Sequence, residues 1–205
     1  MRLSVAGLDR WGRTDTVVLQ GLLAGAFVLE AVIGLVVPLL GVAGLLDMSS
    51  SRTVALADAG ALGLPAADGV ELSATGTATL AVADPGLGQR VLLELPGVFA
   101  AVLILLGIWL LFQVARTLSA GEPFASRNPL RLYGIAVLLG IGYVVGSLLT
   151  AVTTNLLVAG TPLEQHVPFS ADISLLPVAV AVLLAALAEA FRIGVRLRED
   201  TEGLI

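Results

Sequence analysis

Between Glu94 and Arg116 the chain reads ELPGVFAAVLILLGIWLLFQVAR, and every residue from 95 to 115 is uncharged. A helix needs about 20 predominantly apolar residues to cross the roughly 30 Å hydrocarbon core of a bilayer. This stretch therefore predicts a transmembrane helix near 96–116. Working outward by the same measure yields three more. From Asp15 to Asp47 the only charge is Glu30, none lies between Arg131 and Glu164, and Asp172 is followed by an uncharged run to Glu189, with Arg192 just beyond. The spans expected are 18–42, 96–116, 132–157 and 173–193, and the expected fold is an all-α transmembrane four-helix bundle. The first apolar run is too long for the 7–15-residue core of a secretory signal, and Asp9 and Asp15 mix with the arginines before it, so it reads as a retained helix.

The bulk composition agrees. The 205 residues are 57% hydrophobic and 13% charged, against about 45–50% apolar and about 25% charged in an average soluble domain. Lipid must therefore do part of the solvating. The absence of cysteine excludes disulfides, thiolate metal sites and a cysteine nucleophile, and a single histidine, His166, excludes a centre built on several imidazoles. No cofactor is expected. All eleven basic residues are arginine, which with the Ala, Gly, Val and Leu richness suits a GC-rich prokaryotic genome. A net charge of −5 without a basic patch argues against direct nucleic-acid binding.

Arginine placement predicts the orientation, because short cytoplasmic loops carry the excess of basic residues. With the N-terminus inside, nine of the eleven arginines are cytoplasmic: Arg2, Arg10, Arg13, Arg116, Arg127, Arg131, Arg192, Arg196 and Arg198. The other side holds Arg52 and Arg90 beside the carboxylates Asp47, Asp58, Asp68, Glu71, Asp84, Glu94, Glu164 and Asp172. A multi-pass protein of the cell membrane with both termini cytoplasmic is expected. Residues 117–131 then form a cytoplasmic hairpin: Gly121 and Pro123 stop one helix, and Asn128 and Pro129 start the next. Residues 194–205 form a cytoplasmic tail.

Residues 47–95 form the outer loop of this single membrane domain, and there the apolar period changes. Leu72, Ala74, Ala78, Leu80 and Val82 alternate with Ser73, Thr75, Thr77 and Thr79, the pattern of a half-buried strand. Thr53–Leu56 and Val91–Leu95 are its candidate partners. Gly60, Gly63, Pro65, Gly69, Pro85, Gly86 and Gly88 punctuate the intervals. A small extracytoplasmic antiparallel β unit is expected between the first two spans, either capping the helices or sensing a ligand.

Glu30 is the most conspicuous polar residue within a span. A carboxylate at mid-membrane costs roughly 2.5 kcal/mol or more unless neutralised or paired, and the hydroxyls of Tyr143 and Ser147 are expected at a similar depth to hydrogen-bond it. It reads either as a neutral packing residue or as a proton- or ion-coupling group. Gly21 and Gly25, Gly142 and Gly146, and Ala181 and Ala185 recur at the four-residue spacing that lets helix backbones approach. Intramolecular packing is the first reading of these pairs and homo-oligomerisation the second. Thr153, Thr154 and Asn155 either cap the third span or line a shallow cavity, and His166 reads as a loop histidine. In the tail, Glu189, Arg192, Arg196 and Glu199 share one helix face, and Arg198 pairs with Glu202.

Two stretches carry a family resemblance. Gly121, Glu122, Pro123 and Phe124 followed by Asn128 and Arg131, and the run Leu187 to Phe191 continuing through Gly194, Leu197 and Glu202 to Ile205, resemble a bacterial family of four-span membrane proteins catalogued as a domain of unknown function. Its members carry a Gly-x-Pro-Phe…Asn hairpin and a charged tail that often ends Glu-Gly-Thr-Ile; here Leu204 stands in place of the threonine. The family is often encoded beside a small Xre/Cro-type helix-turn-helix protein. The resemblance thus implies a membrane protein that holds or releases a cytoplasmic transcription regulator, with the hairpin and tail residues facing that partner. The alternative is a transporter or channel subunit using Glu30. No span contains the paired carboxylates or Ser/His dyad that an enzyme would need.

Overall fold

The computed structural model describes residues 13–46, 51–55, 76–122 and 124–202, with side chains from Thr16 to Asp200 within them. The described chain is mostly helical: α1 (Arg13–Glu30), a π-helical turn (Ala31–Val36), α2 (Val37–Val42), α3 (Leu87–Ser119), α4 (Asn128–Val158) and α5 (Leu175–Glu202), with strands β1 (Ser51–Ala55) and β2 (Thr77–Ala81) between α2 and α3. Four helical segments among the described residues are long and apolar enough to cross a membrane: Thr16–Val42, Leu87–Ser119, Asn128–Val158 and Leu175–Asp200. At 1.5 Å per residue, the 33 residues of α3 make a rod of about 50 Å, so its ends project beyond the apolar stretch that announces it.

The distribution of side chains suits lipid rather than water. Leu175, Leu130 and Leu87 are 79%, 75% and 72% exposed, whereas the largest fully buried side chains are Val158, Asn128 and Thr153. Two of those three are polar. Between helices in oil, where apolar burial gains little, packing and hydrogen bonds take over the work that a hydrophobic core does in water.

The contacts divide the chain into two compact units. One comprises residues 1–34, 101–143 and 174–205; the other comprises 35–100 and 144–173. In the second unit β1 and β2 pair antiparallel, with Arg52 opposite Leu80 and Val54 opposite Ala78. The alternation read at Thr77–Ala81 is kept, with Ala78 and Leu80 more covered than Thr77 and Thr79. This face packs on Val158 and Val167 through Val54. Leu72 to Thr75, and the loop residues Gly60, Gly63, Pro65 and Gly69, lie outside the described residues. Val91–Leu95, expected as a strand partner, is helical instead and forms the early part of α3. Four apolar residues around Glu94 fit either state, and their continuity with the span beyond Pro96 decides for helix.

Strand parity puts Arg52 on the same inward face as Val54. Its Nη1 donates to the hydroxyls of Thr153 (2.8 Å) and Thr154 (2.9 Å), and its Nη2 donates to the carbonyls of Leu92 (3.0 Å) and Leu93 (2.7 Å). Pro96 sits inside α3 and has no N–H to give Leu92, the carbonyl four residues before it. Arg52 supplies the missing donor. Burial pulls the Arg52 pKa below its ordinary value and nearby Glu94 pulls it back up; a guanidinium tolerates this because it does not lose its proton in proteins. Thr153 and Thr154 therefore serve chiefly as acceptors for this arginine. Thr154 also lines a cavity of about 60 Å³ with Thr53, Thr150 and Asp172, while the backbone carbonyl of Asn155 accepts from Ala159.

Arg52→Met is expected to cost about 1–3 kcal/mol by leaving buried acceptors unpaired. The check is a lowered thermal midpoint in detergent micelles, with Arg52→Lys recovering only part because one ammonium cannot span four acceptors.

Candidate functional site

The first unit contains the turn between α3 and α4, which is built by its glycine. Gly121 takes φ +76°, a left-handed conformation that glycine adopts without steric cost. Its N–H bonds to the carbonyl of Leu118 (3.1 Å), and the N–H of Glu122 reaches that of Thr117 (3.0 Å). This is a Schellman closure, and it satisfies carbonyls that the helix end would otherwise leave open. Pro123 lies outside the described residues. After the N–H of Asn128 bonds to Ala125 (2.9 Å), α4 begins, with Pro129 in its first turn.

Asn128 is fully buried and holds the turn closed. Its Nδ2 donates to Thr117 Oγ1 (2.8 Å), whose own proton goes to the carbonyl of Val114 (2.8 Å). Its Oδ1 accepts from Arg131 Nη1 (2.9 Å), and the same nitrogen donates to the carbonyl of Gln113 (3.1 Å). One amide thus ties the end of α3 to the first turn of α4, with Arg131 fastening both.

The turn also touches α5. The ring of Phe124 lies 5.8 Å from that of Phe191, inclined at 41°, within the range of favourable aromatic pairs. It also covers Gly194, where a β-carbon would come within 2.7 Å of Phe124 Cε1. A larger residue at 194 would displace the ring. Two residues before Phe191, Glu189 Oε2 accepts from Tyr133 Oη of α4 (2.7 Å), and its Oε1 accepts from Arg192 Nη2 (2.6 Å) and Nε (3.1 Å). At 36% and 50% exposure the Glu189–Arg192 pair is screened by its surroundings, and its use is to fix side-chain direction. Arg196 and Glu199, expected to extend this charge pattern, are both exposed, and the ion pair among the described residues is Glu189–Arg192. Arg198 is exposed as well, and the Glu202 side chain lies outside the described residues.

The residues from 71 to 205 match the family model described as "Protein of unknown function (DUF2975)". The chain belongs to this family. It is a multi-pass membrane protein by its four apolar helices. Neither a curated protein nor a solved structure matches the chain. The family match takes in the turn and α5, and it leaves out α1, Glu30 and β1.

The residues expected around Glu30 do not gather there. Tyr143 Oη accepts from the N–H of Ser174 (2.8 Å), and Ser147 Oγ donates to the carbonyl of Asp172 (2.7 Å). Both hydroxyls bond to the backbone entering α5. The Glu30 carboxyl instead lies over Gly34, at the start of the π-helical turn. A β-carbon on Gly34 would meet both Glu30 Oε1 and Ala101 Cβ at 2.6 Å. That turn ends just before Pro38, whose ring would clash with a carbonyl four residues back in a regular α-helix. Of the small-residue pairs, Gly142 and Gly146 seat Leu103 and Phe99, and Ala181 meets Gly140, but a β-carbon on Gly21 or Gly25 would meet nothing within 4 Å among the described residues. The described residues therefore do not make the packing expected at Gly21 and Gly25.

Sequence reading missed Tyr133 and Thr117 as partners of Glu189 and Asn128. The signals were slight: a tyrosine one turn inside α4, and a threonine four residues before the capping glycine. Asn128→Ala should cost about 1–3 kcal/mol, since Thr117 and Arg131 would lose a buried partner together. Thermal unfolding in detergent measures it, and Asn128→Asp should be milder because it keeps the acceptor for Arg131.

Proposed function

We propose that this protein is a non-enzymatic regulatory or scaffold protein of the cell membrane, with both termini cytoplasmic. The 121–131 turn and the end of α5 form a single docking surface for a cytoplasmic partner. The observation that carries the reading is the seat of Phe124 on Phe191 and Gly194, because it joins the two family-bearing stretches into one surface. The arginine distribution supports the orientation, and Arg192, Arg196 and Arg198 at the end of α5 are exposed. The partner class suggested by the family resemblance is a small helix-turn-helix regulator.

Full-length protein in detergent, carrying a photocrosslinker at Arg196, should capture such a regulator from the cytosol. Gly194→Val, which dislodges Phe124, should lower that capture at least fivefold without loss of the helical circular-dichroism signal. Recovery of no specific cytoplasmic protein would defeat the proposal.

A second reading, ion or proton coupling, is favoured by the place of Glu30 at a π-helical turn, an irregularity often found at functional sites. On that reading Glu30→Gln abolishes a proton or cation flux measured in proteoliposomes. An unchanged flux removes it.

A further inference from the structure

Within the first unit, α3 meets the first span at two places, once at the π-helical turn and once at α1. At one place Gly34 abuts Ala101. At the other, Gln20 Nε2 donates to Ser119 Oγ (2.7 Å). Between these lies a groove of about 240 Å³ lined by Leu23, Ala24, Phe27, Val28, Ile108, Trp109 and Phe112. Every lining residue is apolar. The groove opens sideways along Val28 and Trp109, which are 62% and 50% exposed, on helices that belong in a membrane.

Arg116 lies two turns along α3 from Trp109, on the same edge of the helix, and about 10 Å further along its axis. Its side chain is exposed, and its guanidinium has no hydrogen-bond or ion-pair partner among the described residues. A guanidinium presents paired donors that match a phosphate. An apolar slot in line with an unpaired guanidinium has the polarity of a phospholipid, with the chain below and the phosphate above.

We propose that the groove between α1 and α3 holds one acyl chain of an anionic phospholipid whose phosphate is bound by Arg116. The chain fills space between the helices that would otherwise lack contacts, and the headgroup charge supplies the selectivity. Neutral lipids reach the same slot but gain less at Arg116. The Gln20–Ser119 bond closes the end of the slot, so the lipid enters past Trp109 from the side.

Trp109 reports the occupant directly. In a Trp11→Phe background it is the remaining tryptophan, and brominated acyl chains quench an indole that they touch. The full chain is reconstituted in phosphatidylcholine vesicles containing increasing fractions of brominated phosphatidylglycerol or brominated phosphatidylcholine. Half-maximal quenching should need about fivefold less of the anionic lipid, as expected for one basic residue near the headgroups. Arg116→Gln should abolish that preference. Ala24→Leu, which keeps the guanidinium but fills the slot, should abolish it too. Each variant is judged on protein with the parent's helical circular-dichroism signal, so either serves alone. Equal quenching by the two lipids in the parent overturns the proposal. So does a preference that survives either substitution, or a Trp109 shielded from both lipids, which marks a second copy of the chain in the groove.

Discussion

Within the hydrocarbon of a bilayer, a backbone N–H or C=O has no water to turn to, and each one left outside a helix ladder costs several kcal/mol. The architecture follows from that constraint, most visibly where proline interrupts a helix. At Pro38 the interruption is met inside the helix, by a π-helical turn from Ala31 to Val36. At Pro96 it is met from outside, by the guanidinium of Arg52 on the carbonyls of Leu92 and Leu93. The second solution needs a strand to carry the arginine. β1 is held in turn by β2 and by the seat of Val54 on Val158 and Val167. The small sheet is thus part of the way α3 is completed.

A second consequence is that polar groups take interior positions. Asn128 and Thr153 are among the most deeply buried side chains, and each joins two elements: Asn128 joins α3 to α4, and Thr153 joins α4 to β1. Leucines and valines face outward at no cost because lipid is as apolar as they are. Close helix approach then falls to the small residues. Gly34 admits Ala101, Gly142 admits Leu103, and Gly194 admits the ring of Phe124. At Gly21 and Gly25 the same spacing meets no neighbour among the described residues.

The four helices were legible because a membrane span is a local property: an uncharged run of sufficient length needs no partner to be recognised. The turn at Gly121 and the β alternation at Thr77–Ala81 were legible for the same reason, each depending on the conformation or facing of neighbouring residues. Val91–Leu95 misled because a stretch of five residues is too short to show a period of its own. The backbone partners of Tyr143 and Ser147 were not legible, because equal depth in neighbouring spans says nothing of rotation about the helix axes. The backbone before α5 took both hydroxyls instead.

The amino-acid sequence by itself determined that this chain has four membrane-capable helices, where its tight turn falls, and that a short β pair interrupts them. All of these rest on the chemistry of residues close together in the chain. Only the tertiary structure decided that Arg52 serves the carbonyl freed by Pro96, that Phe124 rests on Gly194, and that Glu189 answers Tyr133. Those partners stand far apart in sequence, and their meeting depends on helix rotation and separation, which are set by which glycines find a neighbour to admit.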